Sequence, residues 1–195
     1  MRSNIYTLKK LKEDFSNIPA EAEKVANYND LDKKSALRLR LLAEELVGML
    51  PKLLIYGSGS FWIENEGNDY ELHLEVTPYG DNDFDRKKVL SVSSSGKNAA
   101  SRGIVNKITL AAEKLFNHVN KVDSEDPYSD WTMGLTYKTE TPFWSLTDYK
   151  TNIAQKKKYT EQWDELEKSI IANLADDVLV GIINGHIDIV IKKKF

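Results

Sequence analysis

The chain lacks cysteine altogether and has only three histidines among its 195 residues. Without cysteine, disulfide scaffolds, thiolate zinc sites, iron–sulfur clusters and cysteine nucleophiles are excluded. The histidines are far apart, and no second ligand stands near any of them at the spacing of a zinc-binding helix. We therefore expect no metal site on His73, His118 or His186.

Long apolar runs and an excess of positive charge are also missing. No apolar run approaches about 18 residues, so no membrane partner is expected. The first residues lack the apolar core of a secretory signal, so the cytoplasm is the expected compartment. With 27 basic and 30 acidic residues, the formal net charge is −3. This balance argues against a nucleic-acid partner.

The composition is that of an ordinary globular domain. Hydrophobic residues make up 41% of the chain and charged residues 29%, which argues against extensive disorder. A chain of this length buries about 70% of its surface on folding, enough for one core without disulfides or metals. We expect a single domain over residues 1–195.

Apolar residues spaced by three and four positions predict several helices. The best marked covers residues 31–50, where Leu39, Leu42, Leu46 and Met49 share one face and Pro51 closes the helix within a residue or two. Further helices are predicted over residues 18–28, 83–90, 104–119 and 160–174.

Alternating polar and apolar residues predict antiparallel hairpins. The first joins residues 61–64 to residues 70–77 and follows a flexible joint at residues 57–60. The last joins residues 178–183 to residues 186–192 through Asn184-Gly185, a strong hairpin signal. Another is expected within residues 131–149. Strands that come in adjacent pairs predict an α/β fold, a two-layer α/β sandwich with helices on one face of a mostly antiparallel, mixed sheet.

The segment Gly96-Lys97-Asn98 precedes a predicted helix. Free backbone N–H groups at a helix start, together with a lysine, can bind an anion such as phosphate. The alternative is a flexible loop that only connects two helices. The segment does not match the phosphate-binding P-loop, because the position five residues before Gly96 is a serine and Lys97 is followed by Asn98.

Two adjacent glutamates, Glu44 and Glu45, lie on the helix predicted over residues 31–50. One of them can point into a cleft and polarise a water molecule. The alternative is that both are solvated, as glutamates on helices usually are.

Two stretches resemble the histidine-kinase-like ATPases (the GHKL or Bergerat fold), and among them the anti-sigma factor serine kinases. Residues 41–50, LLAEELVGML, are followed by a hairpin and look like the N-box helix of that family. Residues 169–178, SIIANLADDV, precede the Asn-Gly hairpin and are similar to the family's last helix and two strands. The element order matches from about residue 31 to residue 195, with residues 121–159 as an insertion.

The resemblance implies a role for Glu45 and shows a departure at Met49. In the family, the N-box glutamate acts as base or orients water, and an asparagine four residues later holds Mg²⁺. Glu45 takes the first position, but Met49 stands at the second. A thioether is a poor ligand for a hard ion. We therefore expect no Mg²⁺ site and no competent Mg-ATP phosphotransfer.

The other nucleotide motifs of the family also differ. Thr77 begins the segment where the adenine-reading box is expected, but the aspartate and paired glycines of that box are missing. Thr77 is kept as a candidate nucleotide contact, and Gly96, Lys97 and Asn98 stand in for the family's glycine-rich lid. ATP or ADP is the ligand that the resemblance implies.

Three functions follow as expectations. The first is a regulatory or signalling protein that acts through contacts with a protein partner, such as a sigma factor or its antagonist, with lost or altered ATP chemistry. The second is an active ATPase or anti-sigma-type kinase, with Glu45 as base and Lys97 on the phosphates. The third is a dimerisation module in which residues 4–15 pair with a second copy to form a homodimer.

Overall fold

The structure is a computed structural model that describes residues 1–9, 15–53, 57–78, 99–120, 130–136, 142–155 and 159–195. A short 3-10 turn over Asp130–Gly134 precedes the fourth strand. The α-helices of these ranges are α1 (Asn17–Tyr28), α2 (Lys33–Leu53), α3 (Ala99–Asn120), α4 (Leu146–Ala154), α5 (Thr160–Glu167) and α6 (Ile170–Leu174). The helix predicted over residues 83–90 lies outside the described residues.

The strands form one seven-stranded sheet, ordered β1-β2-β3-β7-β6-β5-β4, and every described pairing is antiparallel. Helices cover one face of this sheet, so the predicted two-layer α/β sandwich is confirmed. The strands are β1 (Tyr6–Leu8), β2 (Gly57–Glu66), β3 (Asp69–Pro78), β4 (Leu135–Thr136), β5 (Phe143–Ser145), β6 (Asp177–Ile183) and β7 (His186–Lys194).

Turn residues set the register of the two long hairpins. Gly67 has a φ of 57°, and Asn184 and Gly185 have φ of 52° and 78°. Two successive residues with positive φ form the tight turn whose twist matches that of the strands. The predicted hairpins β2–β3 and β6–β7 are confirmed.

The core lies between the sheet and the helices. Along β3, Tyr70, Leu72, Leu74 and Val76 are buried while the residues between them are partly exposed or exposed. The predicted apolar face of α2 is fully buried against this layer. Pro51 lies inside the helix, whose described residues run as far as Leu53.

Two local predictions differ from the structure. The glycine- and serine-rich residues 57–60 belong to β2, because the pairing with β3 continues as far as Gly57 and Pro78. The helix predicted over residues 160–174 is divided into α5 and α6. At the break, the hydroxyl of Ser169 accepts a hydrogen bond from the backbone N–H of Ala172 and starts a new helix.

The described part of residues 121–159 belongs to the same sheet. The predicted hairpin is present as β4 and β5, and β5 pairs with β6. Helix α4 follows directly and was not predicted. Its first turn is capped by Ser145, whose hydroxyl accepts from the backbone N–H of Asp148 at 3.2 Å.

The N-terminal strand β1 pairs with β2 of the same chain, with Tyr6 opposite Phe61 and Leu8 opposite Gly59. It forms one edge of the sheet. The homodimer through residues 4–15 stays a prediction, and residues 10–14 lie outside the described ranges. Among the described helices, none has the length and hydrophobicity needed to cross a membrane.

Candidate functional site

Helix α2 carries Glu45, the predicted base, and Met49, which stands where the resembled family has its metal ligand. Glu45 and Met49 are one helical turn apart, so their side chains leave the helix in nearly the same direction. Met49 is fully buried, whereas Glu45 is only partly buried. One carboxylate oxygen of Glu45, Oε2, is nevertheless buried and has no hydrogen-bond partner within the described structure.

The environment of α2 distinguishes the two adjacent glutamates. Glu44 is exposed and accepts a hydrogen bond from Nε of Arg40 at 2.8 Å. The pKa of Glu45 is raised above its ordinary value, mainly by burial and also by the negative charge of Glu44. A carboxylate with a raised pKa and a free oxygen can accept a proton or orient a water molecule. Of the two glutamates, Glu45 is therefore the one that can act as a general base or orient water.

The surroundings of Met49 do not fit a magnesium ion. Its thioether is part of the hydrophobic core, with no exposed surface. Mg²⁺ requires oxygen ligands and retains several water molecules, which a closed apolar position does not supply. Within the ranges that the structure describes, no group of three His, Asp or Glu residues could hold a metal ion either.

Thr77 lies near the end of β3, away from Glu45. Its hydroxyl is 3.0 Å from Nδ1 of His186, and its side chain is exposed. Its neighbour Val76 is fully buried under the helices. Since successive residues of a strand point to opposite faces, Thr77 faces away from the helix layer that holds Glu45. The structure does not bring these two predicted site residues together.

The predicted anion-binding residues Gly96, Lys97 and Asn98 lie outside the described residues. The helix predicted over residues 104–119 is contained in α3 (Ala99–Asn120). The expected helix is thus present at the expected place, and the anion site itself stays a prediction.

A polar network near α4 was not found from the sequence. Asp177 accepts hydrogen bonds from the Ser145 hydroxyl, at 3.1 Å to each oxygen, and from the backbone N–H of Thr147 at 3.0 Å. Lys150 donates to the backbone carbonyl of Ala172 at 2.5 Å. Burial lowers the pKa of the Lys150 amine, while Asp177 and Asp176 oppose this shift. These bonds connect α4 to β6 and α6, and their role is structural.

A groove of about 930 Å³ lies at the turn of the β2–β3 hairpin. Its acidic residues are largely neutralised: Arg2 is 3.3 Å from Glu64, Lys192 is 3.0 Å from Glu71, and Lys194 is 3.3 Å from Asp69. Neither Glu45 nor Thr77 is among its lining residues, so the groove is separate from the predicted site. The residues that line it are Met1, Arg2, Asn29, Glu64, Asn65, Glu66, Gly67, Asp69 and Glu71.

Comparison with known proteins gives no relative. No model of a protein family matches the chain, and neither the curated proteins nor the solved structures contain a match. The comparisons assign the chain to no family. The likeness to histidine-kinase-like ATPases therefore depends on the motifs in the sequence alone.

Proposed function

We propose that this chain is a regulatory protein with a histidine-kinase-like ATPase fold that acts through protein contacts, without magnesium-dependent phosphotransfer. The observation that carries the proposal is the complete burial of Met49, one turn after Glu45. The helix offers a carboxylate where the resembled family has its base, and a core side chain where that family has its metal ligand.

The chemistry of phosphoryl transfer explains why this matters. The transition state carries charge on the phosphoryl oxygens, and metal ions supply much of the compensation. Glu45 adds a negative charge and Met49 adds none. Bound ATP or ADP, held by the predicted contacts Gly96, Lys97 and Asn98, would act as a signal rather than a substrate. Thr77, the other predicted contact, lies on the opposite face of the sheet from Glu45. We propose the cytoplasm as the compartment, as expected from the sequence.

One observation favours the alternative, an active ATPase or anti-sigma-type serine kinase. The buried oxygen of Glu45 has no described partner, and the pKa of this carboxyl is raised. Both are features of a general base. In this alternative, Lys97 compensates the phosphate charge in a rearranged site.

Thermal unfolding of the purified chain with ATP or ADP, each with and without Mg²⁺, separates the two functions. A ligand at about 100 times its dissociation constant adds about 2.7 kcal/mol to the stability. For a chain of this size, the melting temperature would rise by roughly 5–10 °C. We expect no Mg²⁺-dependent rise and no release of phosphate. A nucleotide-induced rise without Mg²⁺ dependence fits nucleotide sensing.

Two further results decide between the functions. Affinity capture on the native protein should return a stoichiometric protein partner. Phosphate release that requires Mg²⁺ and is abolished in Glu45→Gln, but kept in the neighbouring control Glu44→Gln, would establish the enzyme instead. Robust turnover without any protein partner would overturn the regulatory proposal.

A further inference from the structure

The outer face of the sheet, the face turned away from the helices, has two acidic residues directly opposite each other. Glu75 of β3 pairs in register with Asp188 of β7. Both alternate with fully buried core residues, so both side chains point away from the helix layer. Each is partly buried among its neighbours on that face.

No described residue forms an ion pair with either carboxylate. The other acidic residues along the same strands do have cations within 4 Å. Glu71 pairs with Lys192 and Asp69 with Lys194. Among the described residues, the negative charge of the outer face is therefore balanced toward the β2–β3 turn and unbalanced at Glu75 and Asp188.

This arrangement is unfavourable for the isolated chain. Like charges directly opposite on paired strands destabilise a sheet. Burial, together with the charges of Glu75 and Glu71, raises the pKa of Asp188, and only His73 opposes the shift. A cation placed between Glu75 and Asp188 would remove this penalty.

Aliphatic side chains lie beside the two acidic residues. Leu179 of β6 is partly exposed on the same face, opposite Val190 of β7, which is itself buried. Ile183, at the end of β6, also points to this face and is 55% exposed. As far as the structure describes it, the outer face thus combines two carboxylates without an ion pair with the partly exposed Leu179 and the exposed Ile183 beside them.

We propose that the outer face, centred on Glu75 and Asp188, is a docking surface for a basic segment of a protein partner. A lysine or arginine of that segment places its charge between the two carboxylates, and its aliphatic stem and apolar neighbours cover Leu179 and Ile183. The occupant follows from charge complementarity, since nucleic acids and anionic membranes would be repelled by the unpaired acids. This inference deepens the proposed function and rests on its claim that the partner is a protein.

The test is calorimetric titration of the full chain with an acetylated, amidated peptide of alternating lysine and leucine. The matched peptide carries glutamate in place of lysine. We expect the lysine peptide alone to bind, and the double variant Glu75→Gln/Asp188→Asn to weaken binding by about tenfold or more. The control Asp164→Asn/Glu165→Gln removes the same charge from exposed positions of α5, in the helix layer, and should change the affinity by less than about twofold.

Several outcomes would overturn the inference. In the titration, these are equal weakening of binding by both double variants, equal binding of the two peptides, or no binding of the lysine peptide. Self-association of the chain that Glu75→Gln/Asp188→Asn abolishes would also overturn it.

Folding is checked with the single variant Asp188→Asn. This variant should raise the melting temperature because it removes a repulsion, and a lower melting temperature would contradict the unpaired state of Asp188. Mg²⁺-dependent turnover would reject the proposed function and leave the peptide result standing, so the two failures are distinguishable.

Discussion

Glu45 and Met49 show how one helix gives neighbouring side chains opposite environments. Spacing along α2 puts Met49 on the apolar face and Glu45 at its margin, and this much follows from the sequence. Which of Glu44 and Glu45 is shielded from solvent depends on the tertiary contacts at the edge of the apolar face of α2. Local spacing leaves that choice open, and the buried, unbonded oxygen of Glu45 resolves it.

Replacing Glu45 by glutamine should stabilise the protein at neutral pH. A buried carboxylate oxygen without a partner costs stability, and for this partly exposed group we expect a gain of about 1 kcal/mol in Glu45→Gln. Urea unfolding at about pH 7 measures it. The control Glu44→Gln removes an exposed pair with Arg40 and the weaker repulsion of Glu45, and it should change the free energy of unfolding by less than about 0.5 kcal/mol.

The gain in unfolding free energy of Glu45→Gln should decrease as the pH is lowered. The folded-state pKa of Glu45 is raised above the ordinary value of 4.5. The folded state therefore holds this proton more firmly than the unfolded state, and the cost of the ionised form is fully present only above the folded-state pKa. The difference between wild type and Glu45→Gln should shrink as the pH falls toward about 4. A variant that is less stable at neutral pH would show that the carboxylate has a stabilising partner.

Placing at residue 49 the asparagine of the family that the sequence resembles should damage the fold rather than create a metal site. Because Met49 has no exposed surface, Met49→Asn removes apolar packing and buries an amide, at a cost of about 2–4 kcal/mol. Met49→Leu, which keeps the volume, should cost less than about 1.5 kcal/mol. Thermal unfolding of both variants with and without Mg-ATP is the measurement. A stable Met49→Asn protein with a new Mg²⁺-dependent shift would contradict the assignment of Met49 to the core.

At the scale of elements, the sequence predicted correctly those helices and turns whose geometry depends on neighbouring residues. The period of α2 and the Asn184-Gly185 turn depend on residues close in sequence, and both were predicted. Helix α4 was missed because the run of residues 143–149, rich in aromatic residues and threonine, was interpreted as strand, although Ser145 and Asp148 form a local cap. The contact of Ser145 with Asp177, which is distant in sequence, supports the same start and depends on the pairing of β5 with β6. The break at Ser169 was hidden by an apolar pattern that runs through both α5 and α6.

Two glycines of different elements should respond oppositely to alanine. Gly48 lies in α2, where a β-carbon would have no neighbouring atom within 4 Å, whereas Gly185 has a φ of +78°. Gly48→Ala should therefore raise the free energy of unfolding by about 0.5–1 kcal/mol through reduced backbone entropy. Gly185→Ala should lower it by about 1–2 kcal/mol, because a β-carbon is strained at positive φ. Urea unfolding compares them, and a destabilised Gly48→Ala would mean that the surface of α2 is more crowded than the structure shows.

At the scale of the whole molecule, the pairing of strands that are distant in sequence creates contacts that the sequence does not predict. Glu75 and Asp188 are far apart in the chain and become neighbours only through the β3–β7 register. No local motif marks them. Residues 121–159, expected as an insertion, contribute β4, β5 and α4 to the common sheet and core. The indole of Trp144 is fully buried and lies so close to Gly134 that a β-carbon there would overlap it.

This integration predicts that the chain unfolds in one step. Because Trp144 belongs to the same hydrophobic core as α2 and β7, loss of the β4–β5 segment should not be separable from loss of the sheet. Urea unfolding followed by tryptophan fluorescence and by far-ultraviolet circular dichroism should give coincident transitions. Trp144→Phe, at a cost of about 2 kcal/mol, should shift both to lower urea by the same amount. Two separate transitions, or a shift in the fluorescence signal alone, would instead show that the β4–β5 segment folds as an independent unit attached to the sheet.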